Sequence, residues 1–230
     1  MPADNLSIPP VNPGEPHLPV VVLADTSLSL ELTGAIDKLN QGIQEFCTAL
    51  RSDPLASGRV DVCLMSFGDH VETVVPFCPA SSFQPPALTA DGETCFNAAI
   101  IAALDAIRQR RQVYFEAGIA SYIPWVVAIT DGVPTDTELE AEARSRLEEL
   151  YSRNKLVFLP MGVGSADFDI LKSYTRKGEG VVMAAKAENF AAGFQYISDS
   201  LSDLAHKSPA APPQLICSNS STCPQPIALL

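Results

Sequence analysis

Only 15 of the 230 residues are Lys or Arg, against 27 Asp and Glu. The formal charge of -12 repels phosphate backbones and anionic lipid at long range, which argues against a general nucleic-acid binder. No apolar run is long enough for a bilayer span: the longest uncharged apolar stretch, 117–130, is too short and is interrupted by Pro124. Histidine is sparse, with His17, His70 and His206 scattered along the chain. Neither a G-x-S-x-G elbow nor a G-x-x-x-x-G-K-[ST] phosphate loop occurs, so a Ser-His-Asp catalyst and a P-loop nucleotide site find no support. The six cysteines form no C-x-x-C pair and read as reduced thiols. Cys217 and Cys223, alone near the C-terminal end, are too few for a closed four-ligand zinc site. Residues 1–16 contain Asp4 and Glu15 but no basic stretch leading into an apolar core, so they do not read as a secretory signal and a cytoplasmic location is expected.

With 47% hydrophobic and 18% charged residues, the chain has material for one sizeable core. Proline, serine and alanine dominate its two ends, so 1–16 and 208–230 are expected to be tails around a single domain, 17–207. Within that domain apolar periodicity alternates between two and about 3.6, the signature of an α/β fold. Strands are expected at 18–24, 60–67, 71–77, 125–130, 156–163 and 180–184, the second and third close enough to form a hairpin. Helices are expected from the apolar spacing Leu32, Ile36, Leu39, Ile43, Phe46, Leu50, over 97–108, from a capping box at Thr137 and Glu140, over 168–174, and from Phe190 to Leu204. These elements specify a doubly wound, mostly parallel sheet with one antiparallel edge strand and helices on both faces, a Rossmann-like arrangement.

Such sheets place their sites beyond the carboxyl ends of the strands. There the sequence offers Asp25-Thr26-Ser27-Leu28-Ser29 after the first strand, Thr94 before a helix, and Thr130-Asp131-Gly132 after the fourth strand. If the first and fourth strands are neighbours, Asp25, Ser27, Ser29, Thr94 and Asp131 converge. All five carry hard oxygen donors, the set suited to Mg²⁺, with Mn²⁺ as an alternative, and nothing in it suits zinc. Neutral hydroxyl ligands would leave such an ion electrophilic. Each member also has an ordinary structural reading: Asp25 and Ser27 as turn or cap residues, and Thr94 as the cap of its helix, with Thr89 the alternative threonine.

The pattern D-x-S-x-S, a distant Thr, then T-D-G resembles the metal-ion-dependent adhesion site (MIDAS) of von Willebrand factor A (VWA) domains over 17–207. Within that family, Leu39-Asn40-Gln41-Gly42, Ser82-Phe83-Gln84-Pro85-Pro86, Thr130-Asp131-Gly132-Val133-Pro134-Thr135-Asp136 and Gly162-Val163-Gly164 are similar to bacterial TerY-like proteins of tellurite-resistance and stress-response systems. The resemblance implies that Ser27, Ser29 and Thr94 bind the ion directly or through water, and that Asp25 and Asp131 act largely behind them. An Asp or Glu of a partner protein then takes the open position. Two residues depart from the pattern: Leu28 and Glu93 stand where glycines are common.

The expected function is a Mg²⁺-dependent protein-interaction module without catalytic activity of its own, a stress-response adaptor. The competing class is a hydrolase or phosphoryl-transfer enzyme whose Mg²⁺ polarises a phosphate, disfavoured by hydroxyls outnumbering carboxylates and by the scarcity of candidate bases. The Gly162 to Asp167 segment reads as a tight turn rather than a dinucleotide loop.

Overall fold

A computed structural model describes residues 12–164, 166–178, 180–185 and 190–216. Six strands form one sheet: β1 (Leu18–Asp25), β2 (Val60–Phe67), β3 (Val71–Pro79), β4 (Trp125–Thr130), β5 (Val157–Val163) and β6 (Met183–Ala185). Their order is β3-β2-β1-β4-β5-β6, with β3 antiparallel to β2 and every other neighbouring pair parallel. The near-continuous apolar runs of β1, β2 and β4 follow from this position, because each is covered on both faces and wholly buried.

Side-chain alternation divides the core in two. Leu18, Val20, Val22 and Ala24 of β1 join one cluster with α2 (Ala35–Ser52) and α7 (Phe190–Ala205). Val21 and Leu23 join the other with α4 (Phe96–Glu116), α5 (Glu140–Ser152) and α6 (Phe168–Ser173). A one-residue slip of β1 would exchange these two sets, so its register with β2 (Val21 opposite Cys63) and β4 (Val21 opposite Val126) is strongly specified. Gly42 lets α2 and α7 approach closely: a Cβ there would lie 2.6 Å from the Phe194 ring.

Four local expectations are corrected. The first helical stretch divides at Thr33-Gly34 into α1 (Leu28–Leu32) and α2, Gly34 taking φ +65°, and the short α3 (Pro54–Arg59) follows. Leu32 therefore leaves the apolar face and is 79% exposed. The helix expected over 97–108 continues to Glu116, because Arg110 in its polar-looking second half turns inward and is buried. Its Nη2 lies 2.7 Å from Asp61 Oδ2, and the Tyr114 hydroxyl donates to the same oxygen. His17 Nδ1 lies 3.2 Å from that atom, closing a fully buried polar group at the amino-terminal edge of the sheet. The Thr137–Glu140 capping box does not form: Thr137–Leu139 is a short 3-10 turn and α5 begins at Glu140 with no side-chain cap. The last strand is short, Met183–Ala185, and starts after the expected 180.

Around this domain, Arg59 pairs with Glu15, and Leu215 packs against the α2/α7 side of the core. Cys47, Cys63, Cys78 and Cys95 are free thiols, three of them buried; Cys217 and Cys223 lie outside the described residues. Among the described residues no helix is long and apolar enough to cross a membrane.

Candidate metal centre

β1 and β4 are neighbours across the point where strand order reverses, so Asp25 and Asp131 leave the sheet side by side. Asp25, the last residue of β1, is fully buried. Its Oδ1 accepts the Ser27 N–H at 2.8 Å, and its Oδ2 accepts the Thr130 hydroxyl. The Asp25 carboxylate thus folds its own loop into an Asx turn and ties that loop to the end of β4.

That turn points Ser27 and Ser29 the same way. Their hydroxyl oxygens lie 3.0 Å apart, and Ser29 Oγ donates to Asp131 Oδ1 at 2.6 Å. Ser27 occupies the N-cap position of α1, yet its side chain caps nothing. Thr94 likewise does not cap α4 with its side chain: that helix has Cys95 at the N-cap without a side-chain bond. The capping role falls instead to Asp136, whose carboxylate accepts the N–H of Asn97 at 3.1 Å and of Ala98 at 2.7 Å from the far side of the T-D-G loop. With the cap supplied from elsewhere, the buried Thr94 hydroxyl faces Gly132: a Cβ on that glycine would stand 2.9 Å from Thr94 Oγ1. Only glycine allows the two loops to meet so closely.

Backbone hydrogen bonds lace the three segments together. Leu28 N–H donates to Gly92 O at 3.0 Å, Asp91 N–H to Thr26 O at 2.7 Å, and Thr135 N–H to Thr94 O at 3.0 Å. Gly92 has φ +87°, and a Cβ there would strike the Asp69 carboxylate at 2.3 Å. Asp69 Oδ1 in turn accepts the Glu93 N–H at 2.7 Å, fixing the chain just before Thr94 while Glu93 itself is exposed. Thr89, the alternative threonine, is exposed.

All five residues singled out from the sequence thus stand on adjoining loops at one end of the sheet. The supports Asp69, Thr130 and Asp136 were missed as functional positions. The partners of Asp69 and Asp136 are 24 and 39 residues away in sequence. Thr130 lies inside the T-D-G motif, and Asp136 ends the stretch that carries the TerY-like resemblance.

Electrostatically the site holds negative charge in low dielectric. Burial pushes the Asp25 carboxyl up to about 6 against the lowering effect of its hydrogen bonds to Ser27 and Thr130, with Asp131 adding to the rise. Burial likewise raises Asp131, partly opposed by the Ser29 hydrogen bond. Among the described residues no group of three or more His, Cys, Asp and Glu is placed to hold a metal. The donors here, two carboxylates and three hydroxyls, have the chemistry of a hard divalent cation site, and a cation among them would relieve the carboxylate desolvation. Exposed apolar side chains follow in the chain: Leu28 (47%) and Leu32 (79%) at the two ends of α1, and Val133 (53%) after Gly132.

No protein-family profile matches the sequence, and no curated protein matches it by sequence. Solved structures do match its fold. The pilus adhesin SpaC from Lactobacillus rhamnosus GG aligns with TM-score 0.64 and 14% identity, over 83% of this chain and 30% of that one. The vWF domain of the type V pili tip protein Mfa5 from Porphyromonas gingivalis gives 0.62 and 10%, over 84% and 98%. A von Willebrand factor type A structure from Catenulispora acidiphila gives 0.55 and 16%, over 81% and 43%. The chain therefore spans less than half of two of these three proteins and nearly all of the third. With a six-stranded, mostly parallel sheet, one antiparallel edge and helices on both faces, the chain has the VWA α/β fold.

Proposed function

We propose that this chain is a Mg²⁺-dependent protein-interaction module that engages an Asp or Glu of a partner protein. The observation that carries the reading is a set of oxygen donors on segments stitched together by backbone bonds: Ser27 and Ser29 hydroxyls 3.0 Å apart, Ser29 bonded to Asp131, the Ser27 N–H held by Asp25, and the Thr94 hydroxyl against Gly132, next to Asp131. Ser27, Ser29 and Thr94 would contact the ion directly or through water. Asp25 and Asp131 would hold the hydroxyls and water in place and neutralise charge from behind. When bound, the ion supplies Lewis acidity toward one further carboxylate, undiminished by direct carboxylate ligation.

Leu28, Leu32 and Val133 favour a protein as the occupant of that position. Three of the five large apolar side chains exposed among the described residues lie within three residues of Ser29 or Asp131 in the chain, which suits the apolar part of a protein surface beside a polar contact. The solved structures with this fold include a pilus adhesin and a pili tip protein, in keeping with an interaction role. The stretches shared with TerY-like proteins support a bacterial cytoplasmic stress-response adaptor, of the kind found in tellurite-resistance systems, as the setting.

The test is affinity capture from lysate with the wild-type chain and Ser27→Ala, each in Mg²⁺ and in chelator. The reading expects a partner retained only by wild type and only with Mg²⁺, and released when the partner's contacting carboxylate is replaced by its amide. Equal capture in all four conditions overturns it. Phosphate-ester turnover lost in Asp131→Ala would replace it with the enzyme reading.

A further inference from the structure

At the opposite end of the sheet, α4 and α5 flank a cavity of about 610 Å³ against Pro124, just before β4, and Lys155, just before β5. The six residues of β4 separate it from the candidate metal centre by about 20 Å. Its volume is that of a small-molecule site. Its floor is apolar, made largely by Leu104, Ile107, Ile119 and Leu150, with the Phe115 ring, 79% exposed, at its side.

The charge of its wall is the reverse of the chain's. Four of the 15 cationic residues, Arg108, Arg111, Arg146 and Lys155, line this one cavity, and Glu149 is the single acid among its lining residues. In a chain of net charge -12, this is a local cationic surface inside an anionic field. Two of the cations are already held: Asp105 Oδ1 lies 3.2 Å from Arg108 and 2.5 Å from Arg146. Among the described residues no carboxylate pairs with Arg111 or Lys155, so two charges at the rim are left for a ligand.

From this arrangement we infer that the α4/α5 cavity binds a small amphipathic organic anion, its carboxylate against Arg111 and Lys155 and its apolar body over Leu104, Ile107 and Phe115. A long polyanion is disfavoured because the cationic surface is confined to one cavity of an otherwise anionic molecule. The assignment is independent of metal binding at the other end of the sheet.

The probe is decanoate, compared with decanol as its neutral counterpart, titrated into methyl-labelled protein and followed by NMR. Decanoate is expected to shift the methyl signals of Leu104, Ile107 and Leu150 saturably, with decanol at least about 10-fold weaker. The double variant Arg111→Ala, Lys155→Ala removes only side chains at the cavity rim, and should weaken decanoate about 10-fold or more with its thermal midpoint unchanged. Phe115→Ala should weaken both probes. No saturable shift, equal binding of decanoate and decanol, or an undiminished double variant each overturns the assignment. Saturable shifts from an acetylated Glu-Asp-Phe-Leu peptide with none from decanoate would reject the small anion in favour of a protein segment.

Discussion

The Ser29 hydroxyl donates to the Asp131 carboxylate at 2.6 Å across 102 positions of sequence, joining the loop after β1 to the loop after β4. This single bond closes the hydroxyl–carboxylate cluster, and it exists because β1 and β4 pair in parallel with Ala24 opposite Ile129.

Gly132→Ala should reduce Mg²⁺ affinity about 10-fold or more. The added methyl stands 2.9 Å from Thr94 Oγ1, so the T-D-G loop or the Thr94 loop has to shift, and ion sites tolerate little displacement of their donors. Calorimetric titration of Mg²⁺ into variant and wild type checks this. An unchanged affinity would remove Thr94 from the ligand set.

Asp136→Ala should cost about 1 to 2 kcal/mol of stability by leaving the Asn97 and Ala98 N–H groups at the start of α4 uncapped. Because the same helix start carries Thr94, Mg²⁺ affinity should fall too. Asp136→Asn, which keeps one acceptor, should recover part of the stability. Urea unfolding of the three proteins measures the order.

Arg110→Met should destabilise by about 3 to 5 kcal/mol, because it leaves the buried Asp61 carboxylate without its guanidinium. Replacing both members, Asp61→Leu with Arg110→Met, should cost much less than the sum of the single changes. A double-mutant cycle by urea unfolding reads this coupling directly.

The same group sets an acid limit. Burial raises the Asp61 carboxyl, but the His17 imidazole, the Arg110 guanidinium and the Tyr114 hydroxyl together outweigh it, so its pKa lies below the ordinary carboxylate value. A folded-state pKa below the unfolded one means that Asp61 adds stability above the unfolded value of about 3.9, lost as pH falls through the folded value. Unfolding free energy of wild type should therefore drop below about pH 4. In the double variant Asp61→Leu, Arg110→Met that drop should be shallower, and equal slopes would contradict the account.

Much of this architecture was legible in the sequence because it depends on local pattern. The apolar runs of β1 and β4 announce strands covered on both faces, and the hydroxyls and carboxylates follow directly at their carboxyl ends, where a doubly wound sheet collects its site residues. What escaped was set by contacts distant in sequence. Arg110 looks like a surface residue until Asp61, 49 positions earlier, is found opposite it, and the length of α4 was misjudged for that reason. Thr137 and Glu140 satisfy the capping-box spacing, but the preceding Asp136 is drawn to α4, and the chain enters α5 through a 3-10 turn instead. Leu32 fits the apolar spacing of α2, yet the break at Gly34 puts it in another helix, exposed beside the candidate site. The cationic cavity between α4 and α5 had no sequence signature, since Arg108 and Arg111 of α4 meet Arg146 and Lys155 only in the fold.

The most direct test of the central claim is calorimetric titration of Mg²⁺ into the wild-type chain and into Ser27→Ala and Asp25→Ala, with thermal melts confirming that each variant is folded. The account predicts saturable binding of one ion by wild type, weakened in Ser27→Ala and lost in Asp25→Ala. The same heat from all three proteins would contradict it.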